Sequence, residues 1–231
     1  MPVKMHIEKK LKDYKAVIFD LDGTLYFQNQ LRIHMAMRLV KYYALHPFQL
    51  KDLMLLRKFR LVREEWETLE VPEDWKTWSM DQAQYAYVAK KMKSTRERVE
   101  KIVERWMYEQ PLKTLFKCRD EKLAYLMTSL REEGIPVLVY SDYPVKEKLK
   151  ALEIRADGMY SALDREIMSL KPEPKGLIEI LRQWELKPSE AVMIGDRDCK
   201  DGQAARNVGM DYIILEKKKG KRKLLYEQLW R

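Results

Sequence analysis

The chain predicts an α/β fold: a doubly wound parallel sheet with helices on both faces, interrupted once by an all-helical insertion. Three observations carry this. Residues 16–19, 136–140 and 191–194 are apolar on consecutive rather than alternating positions, which a strand buried on both faces requires. Segments of helical period stand between those runs, the alternation that builds βαβ units. Residues 27–116 contain no glycine and no strand-like run, while Trp, Tyr, Met, Lys and Arg recur there at helical spacing.

Taken in order, residues 1–14 are polar and charged and read as a short lead-in helix or a frayed start. The first strand ends at Asp20. Within the insertion, helices are expected at 30–45, stopped by Pro47, and at 50–66, followed by a linker at 68–78 around Pro72. Two more are expected at 80–92 and 95–109, the last ended by Pro111, with Ser94 and Glu97 forming a capping box. Beyond it, a helix at 121–133 is closed by Gly134 and a strand at 136–140 runs into Ser141. A helix at 144–152 has Pro144 in its first turn, and a brief strand follows at 159–162. A helix at 174–184, a strand at 191–194 running into Gly195-Asp196, a helix at 202–207 and a strand at 212–215 complete the chain. The expected domains are a core of residues 1–26 and 117–231 and a helical insertion of residues 27–116.

The formal charge is +9, from 45 basic and 36 acidic residues. That balance favours anionic partners, but the two signs are interleaved, which argues against a continuous nucleic-acid stripe and fits phosphorylated small molecules. Lys217, Lys218, Lys219, Lys221, Arg222 and Lys223 read as a solvated basic tail. Arg57, Lys58, Arg60 and Arg63 read as the solvated face of a helix whose apolar stripe packs inward. Cys118 and Cys199 are far apart and outside any Cys-x-x-Cys pair, so neither a disulfide framework nor a zinc site is indicated, and a cytoplasmic, reducing setting is expected. No apolar run is long enough for a signal peptide or a transmembrane span.

The chemistry centres on Asp20-Leu-Asp22-Gly23-Thr24. Alternate residues of an extended chain share a face, so two carboxylates are expected together where a buried strand ends. Asp22-Gly23 would also serve as a plain hairpin turn. Further polar groups at later strand ends shift the balance: Ser141, Lys171 in Ser-Leu-Lys-Pro-Glu-Pro, and Asp196 to Asp201 in Gly-Asp-Arg-Asp-Cys-Lys-Asp. Alone, Ser141 is an ordinary helix-entry residue and Lys171 an ordinary loop lysine; together these types make a phosphate-handling set. Asp20 and Asp196 can hold Mg2+, one carboxylate can attack phosphorus, and the other can move the proton. Ser141 lies at a helix start, Thr24 offers a hydroxyl, and Lys171 can neutralise phosphate charge. A Ca2+ loop starting at Asp196 is rejected, because Lys200 and Asn207 fall where its fifth and twelfth positions require other donors.

With these motifs in place the sequence resembles the haloacid dehalogenase superfamily of hydrolases. Asp20 to Thr24 is similar to that family's first motif, Ser141 to its second, Lys171 to its third, and Gly195-Asp196 with Asp201 to its fourth. The resemblance implies a Rossmannoid core, Asp20 as nucleophile, and Asp22 as acid/base that also lends its carbonyl to Mg2+. It implies Ser141 and Lys171 as phosphate ligands and Asp196 as a metal ligand. It also implies Asp201 as support for the metal or for Lys171, a role Asp198 could share. Asp22 favours a phosphate ester over a carbon–halogen bond, since a leaving alkoxide needs a proton and a halide does not. The insertion resembles the helical cap that closes over such sites and selects the substrate. The expected activity is that of a phosphatase acting on a small phosphorylated metabolite through an aspartyl-phosphate. The alternatives are a phosphomutase using the same residues, or a binding protein contacting nucleic acid or an acidic partner through its basic surfaces.

Overall fold

The computed structural model describes residues 5–7, 9–217, 220 and 222. The chain divides into two compact units, one of residues 1–30 and 115–231, the other of residues 31–114.

The first unit is built on a six-stranded sheet of β1 (Met5–His6), β2 (Ala16–Phe19), β3 (Val137–Ser141), β4 (Gly158–Ser161), β5 (Ala191–Gly195) and β6 (Asp211–Ile214), in the order β1-β6-β5-β2-β3-β4. All neighbours are parallel except β1, which pairs antiparallel with β6. Among the described residues of 1–14 there is no lead-in α-helix: after the edge strand a single 3₁₀ turn forms at Leu11–Asp13. Two residues of strand are too few to show an alternation, which is why the pattern hid it.

β2, β3 and β5 are buried at every position, as consecutive apolar residues demand when helices cover both faces. On one face, Ala16, Ile18, Leu138, Tyr140, Ala191 and Met193 pack against Leu177, Ile180 and Leu181 of α8 (Lys175–Gln183) and Ala204 and Ala205 of α9 (Gln203–Val208). The alternate residues, Val17, Phe19, Val137, Val139, Val192 and Ile194, are fully enclosed on the other. There α6 (Glu121–Glu132) packs on β3, burying Leu123, Leu126, Met127 and Leu130 at the i, i+3, i+4, i+7 spacing of one helix face. α7 (Lys146–Leu152) begins two residues after Pro144. Of the expected basic tail, Lys218, Lys219, Lys221 and Lys223 lie outside the described residues; Lys217 is exposed, but Arg222 is fully buried.

The second unit is all helical. It holds most of α1 (Gln28–Leu45), α2 (Lys51–Glu65), α3 (Met80–Met92), α4 (Arg96–Val103) and the start of α5 (Gln110–Leu115). α2, α3 and α4 pack on one another around Leu55, Phe59, Tyr85, Val88, Val99 and Val103. Arg63 is not on a solvated face: it is buried and donates to Gln84 Oε1 at 2.7 Å. The cap of α4 is Thr95, whose hydroxyl accepts from Arg98 N at 3.2 Å, one residue later than the Ser94 box. Pro111 does not end its helix. A π-helical turn at Glu104–Glu109 precedes it, and by shifting the hydrogen-bond ladder it lets a residue without an N–H enter the next helix near its start.

α8 approaches β3 closely at Gly176, where an added Cβ would lie 2.1 Å from the hydroxyl oxygen and 2.2 Å from Cζ of buried Tyr140. Gly176→Ala is expected to cost roughly 1–3 kcal/mol through overpacking, outweighing the helix preference of alanine. Urea unfolding checks this; a midpoint at or above that of wild type would mean the tyrosine ring yields.

Candidate active site

β2 and β5 are neighbouring parallel strands with Phe19 in register with Ile194, and Asp20 N donates to Ile194 O at 2.8 Å. Two polypeptide segments far apart in sequence therefore leave the sheet side by side, at the carboxyl ends where open α/β sheets present their chemistry. Asp20 and Asp196 emerge there. Asp201 comes back to them through a π-helical turn at Asp198–Gly202, and its Oδ2 accepts from Asp196 N at 3.2 Å and Arg197 N at 3.0 Å. Carboxylate oxygens of Asp20, Asp196 and Asp201 lie within 4.8 Å of one another, and all three residues are buried. Gly195 allows the return, since a Cβ there would sit 2.4 Å from Asp201 Cγ. Gly23 has φ of +97°, and an added Cβ would lie 2.5 Å from Asp196 Oδ2, so both backbone and space require glycine.

One cation is built into this cluster. Lys171 Nζ, itself buried, donates to Asp20 Oδ1 at 2.6 Å and Asp201 Oδ1 at 2.6 Å. Asp20 Oδ2 accepts from the Thr24 hydroxyl at 2.8 Å, so that hydroxyl, expected to face a phosphate, is enclosed and orients Asp20 instead. Asp198 lies apart, paired with Arg206 at 2.9 Å. Of the two acidic candidates, it is Asp201 that the fold brings to Asp196 and Lys171.

Asp22 has different surroundings. Its carboxylate accepts from Ser141 Oγ at 2.9 Å, from the Tyr26 hydroxyl and from Lys148 Nζ. Ser141 Oγ in turn accepts from Tyr143 N at 3.1 Å. Tyr26 and Lys148 were not singled out from the sequence. Lys148 stands among Lys146 and Lys150 as though on a solvated helix, yet it shares an i, i+3, i+4, i+7 stripe with Val145, Leu149 and Leu152, all buried. A lysine in an apolar stripe was the available signal.

The two aspartates of the first motif are driven apart electrostatically. Burial raises the Asp20 carboxyl well above the usual range; Lys171 opposes this, and Asp201, Asp196 and Asp22 add to it. Burial works in the same direction on Asp22, but the Lys148 ammonium and the hydrogen bonds from Lys148, Tyr26 and Ser141 override it and hold that carboxyl below the usual range. Burial and then Asp201 push Asp196 up to about 6. Burial alone would discharge Lys171; Asp20, Asp201 and Asp142 instead raise it.

The donor set fits a hard divalent cation. Three carboxylates converge, Lys171 pairs with Asp20 and Asp201, and Asp196 Oδ1 is buried with no hydrogen-bond partner among the described residues. A buried carboxylate oxygen without a donor costs free energy that a metal ion recovers.

Raised carboxyl values make the metal-free cluster pH-sensitive. With a folded value near 6 and an unfolded one near 3.9, native Asp196 binds its proton more tightly than the unfolded chain does. Its stabilising contribution is present below about pH 4 and is lost as pH rises to about 6. Asp196→Asn is therefore expected to be more stable than wild type by about 1–3 kcal/mol at pH 7 in EDTA, and close to it at pH 4. Urea unfolding at the two pH values checks this; an equal difference at both would remove the electrostatic account.

A family model described as haloacid dehalogenase-like hydrolase matches residues 14–209. Two curated relatives are both called glyceraldehyde 3-phosphate phosphatase. That of Pyrococcus furiosus is 35% identical over 88 residues, 36% of this chain and 36% of its own length. That of Methanopyrus kandleri is 37% identical over 112 residues, 43% of this chain and 48% of its own length. The chain thus spans half or less of the relatives it matches. Among solved structures, the HAD-hydrolase YfnB of Bacillus subtilis, bound to magnesium, superposes with a TM-score of 0.64 at 13% identity, covering 94% of this chain and 99% of that one. The 2-haloacid dehalogenase of Pseudomonas syringae pv. Tomato gives 0.58 at 17% identity, covering 87% and 86%. At such identities these two speak for the fold alone, and the family match over 14–209 is what places the chain: it belongs to the haloacid dehalogenase-like hydrolases.

Proposed function

We propose that this chain is a Mg2+-dependent phosphatase that hydrolyses a small phosphorylated metabolite through an aspartyl-phosphate on Asp20. The observation carrying this is the meeting of Asp20, Asp196 and Asp201 at the ends of adjacent strands, with Lys171 bridging Asp20 and Asp201. Asp20, Asp196 and the Asp22 carbonyl would hold Mg2+, whose charge lets a carboxylate and a phosphate approach each other.

Asp20 attacks phosphorus; the new P–O bond forms as the bond to the ester oxygen breaks, and the leaving oxygen takes its proton from the Asp22 carboxyl. Asp22, now ionised, removes a proton from water as that water attacks phosphorus, and the bond to Asp20 breaks to release inorganic phosphate. Lys171 and Thr24 keep Asp20 in one rotamer, each holding a different carboxylate oxygen. Ser141, Tyr26 and Lys148 do the same for Asp22, and the Lys148 ammonium favours the ionised state used in the second step. Ser141 is enclosed with its hydroxyl donated to Asp22, and Lys171 donates to Asp20 and Asp201, so each would have to give up one of those partners to hold the substrate phosphate.

Dehalogenation is disfavoured because a departing halide leaves Asp22 nothing to protonate. The names of the curated relatives make glyceraldehyde 3-phosphate the first substrate to try. The inserted helical unit, residues 31–114, is assigned the selection of that substrate.

Purified protein with Mg2+ is expected to release inorganic phosphate from glyceraldehyde 3-phosphate or another small ester, with loss in EDTA and recovery on Mg2+ addition. Asp20→Asn is expected to lower the rate by roughly a thousandfold or more while keeping the wild-type circular dichroism spectrum. Turnover by that variant at the wild-type rate would refute the nucleophile. Isomer formation without phosphate release, followed by 31P NMR, would mean a mutase.

A further inference from the structure

Arg222 is separated from the first motif by most of the chain, yet all three of its guanidinium nitrogens are engaged beside that motif. Nη2 donates to Gly23 O at 2.5 Å, Nη1 to Thr24 O at 2.8 Å and to Asp120 Oδ2 at 2.9 Å, and Nε to Glu216 O at 2.5 Å. The guanidinium lies over the Phe27 ring, 4.9 Å from its centroid, and the residue is fully buried. An enclosed guanidinium is tolerated only when its donors are satisfied and its charge is paired, and Asp120 supplies the pairing charge.

What the guanidinium grips matters. Gly23 packs against the Asp196 carboxylate, and the Thr24 side chain carries the hydroxyl that orients Asp20. Asp120 N donates to Leu25 O at 2.9 Å, so the same aspartate is tied to the far side of that loop. Gly23, Thr24, Phe27, Asp120 and Glu216 thus meet one guanidinium, and Asp120 carries the link on to Leu25. Neither peptide carbonyl at 23 and 24 belongs to a strand or helix whose ladder would otherwise hold it.

We infer that Arg222 is a positioning residue for the catalytic loop. It fixes the peptides at Gly23 and Thr24, and through them the Thr24 hydroxyl on Asp20 and the seat of Asp196. The inference rests on the phosphatase reading for its kinetic arm only.

The test uses the full chain carrying Arg222→Met, Arg222→Ala and Arg222→Lys. With p-nitrophenyl phosphate and Mg2+, Arg222→Met is expected to lose roughly tenfold to a hundredfold in kcat, with KM within about threefold of wild type. Free guanidinium is expected to restore part of the Arg222→Ala rate, and Arg222→Lys to fall between. Hydrogen exchange in EDTA is expected to quicken at the amides of 24–27 in Arg222→Met, while those of β3 stay protected.

Folded Arg222→Met with wild-type kcat and unchanged exchange at 24–27 would overturn the inference. So would a loss that guanidinium does not restore and that spreads equally to β3, since that is the signature of general destabilisation. If Arg222→Met does not fold, the Lys variant decides by the same two measurements. Should the wild-type chain hydrolyse no ester, the phosphatase reading fails while the exchange arm still decides the role of Arg222.

Discussion

The ion pairs of Lys171 with Asp20 and Asp201 are the constraint to which the rest of the core answers. Three carboxylates within 4.8 Å of one another and one ammonium leave a formal charge of −2 if every group ionises. At such separations in a buried setting each like-charge contact is unfavourable by several kcal/mol. Without an external cation the cluster can only relax by taking up protons, and the upward shifts of Asp20 and Asp196 are that relaxation. Lys171 is too short of charge to finish the task. The orphan oxygen on Asp196 marks where the missing charge belongs.

In the proposed mechanism Asp20 and Asp22 have different tasks. Two carboxylates two residues apart on an extended strand begin with the same chemistry, and only their partners separate them. Asp20 meets other acids; Asp22 meets Lys148, Tyr26 and Ser141. Without a metal the resulting shifts run against the proposed roles, Asp20 being favoured neutral and Asp22 ionised. A cation beside Asp20 has to lower the nucleophile's carboxyl, and an incoming phosphate has to raise that of Asp22, before the first step. Lys148 is therefore as much part of the site as the four motifs. Replacing it by an apolar residue would return Asp22 to the regime of Asp20, where burial favours the neutral form.

Much of this was legible in the residues because the parallel sheet imposes a signature that local sequence cannot hide. The buried apolar runs 16–19 of β2 and 191–194 of β5 are the pattern of a parallel sheet once helices separate them, and an aspartate of the site follows each, Asp20 at once and Asp196 after Gly195. The failures have equally local causes. β1 is too short to carry a period; Pro111 looked like a stop because the π-turn before it was invisible; Ser94 satisfies a capping pattern that Thr95 satisfies better. Arg63 and Arg222 read as solvated because single cations look alike in a sequence whether they meet water or a buried acceptor. Their partners, Gln84 and the carbonyls of Gly23 and Thr24, lie 21 and about 200 residues away along the chain, beyond any periodic pattern.

An arrangement so unfavourable electrostatically must be offset by something that does not depend on charge. Asp196 alone is disfavoured by about 3 kcal/mol at neutral pH. Against this, the side chains of β2, β3 and β5 include Val17, Ile18, Phe19, Leu138, Val139, Val192, Met193 and Ile194, all fully enclosed, and each contributes about 1.5–3 kcal/mol by burial. The order of the chain makes that compensation local. The strands that gain most from burial are the ones whose next residues carry the cost, so the site cannot spread its acids apart without first pulling Phe19 or Ile194 out of the core.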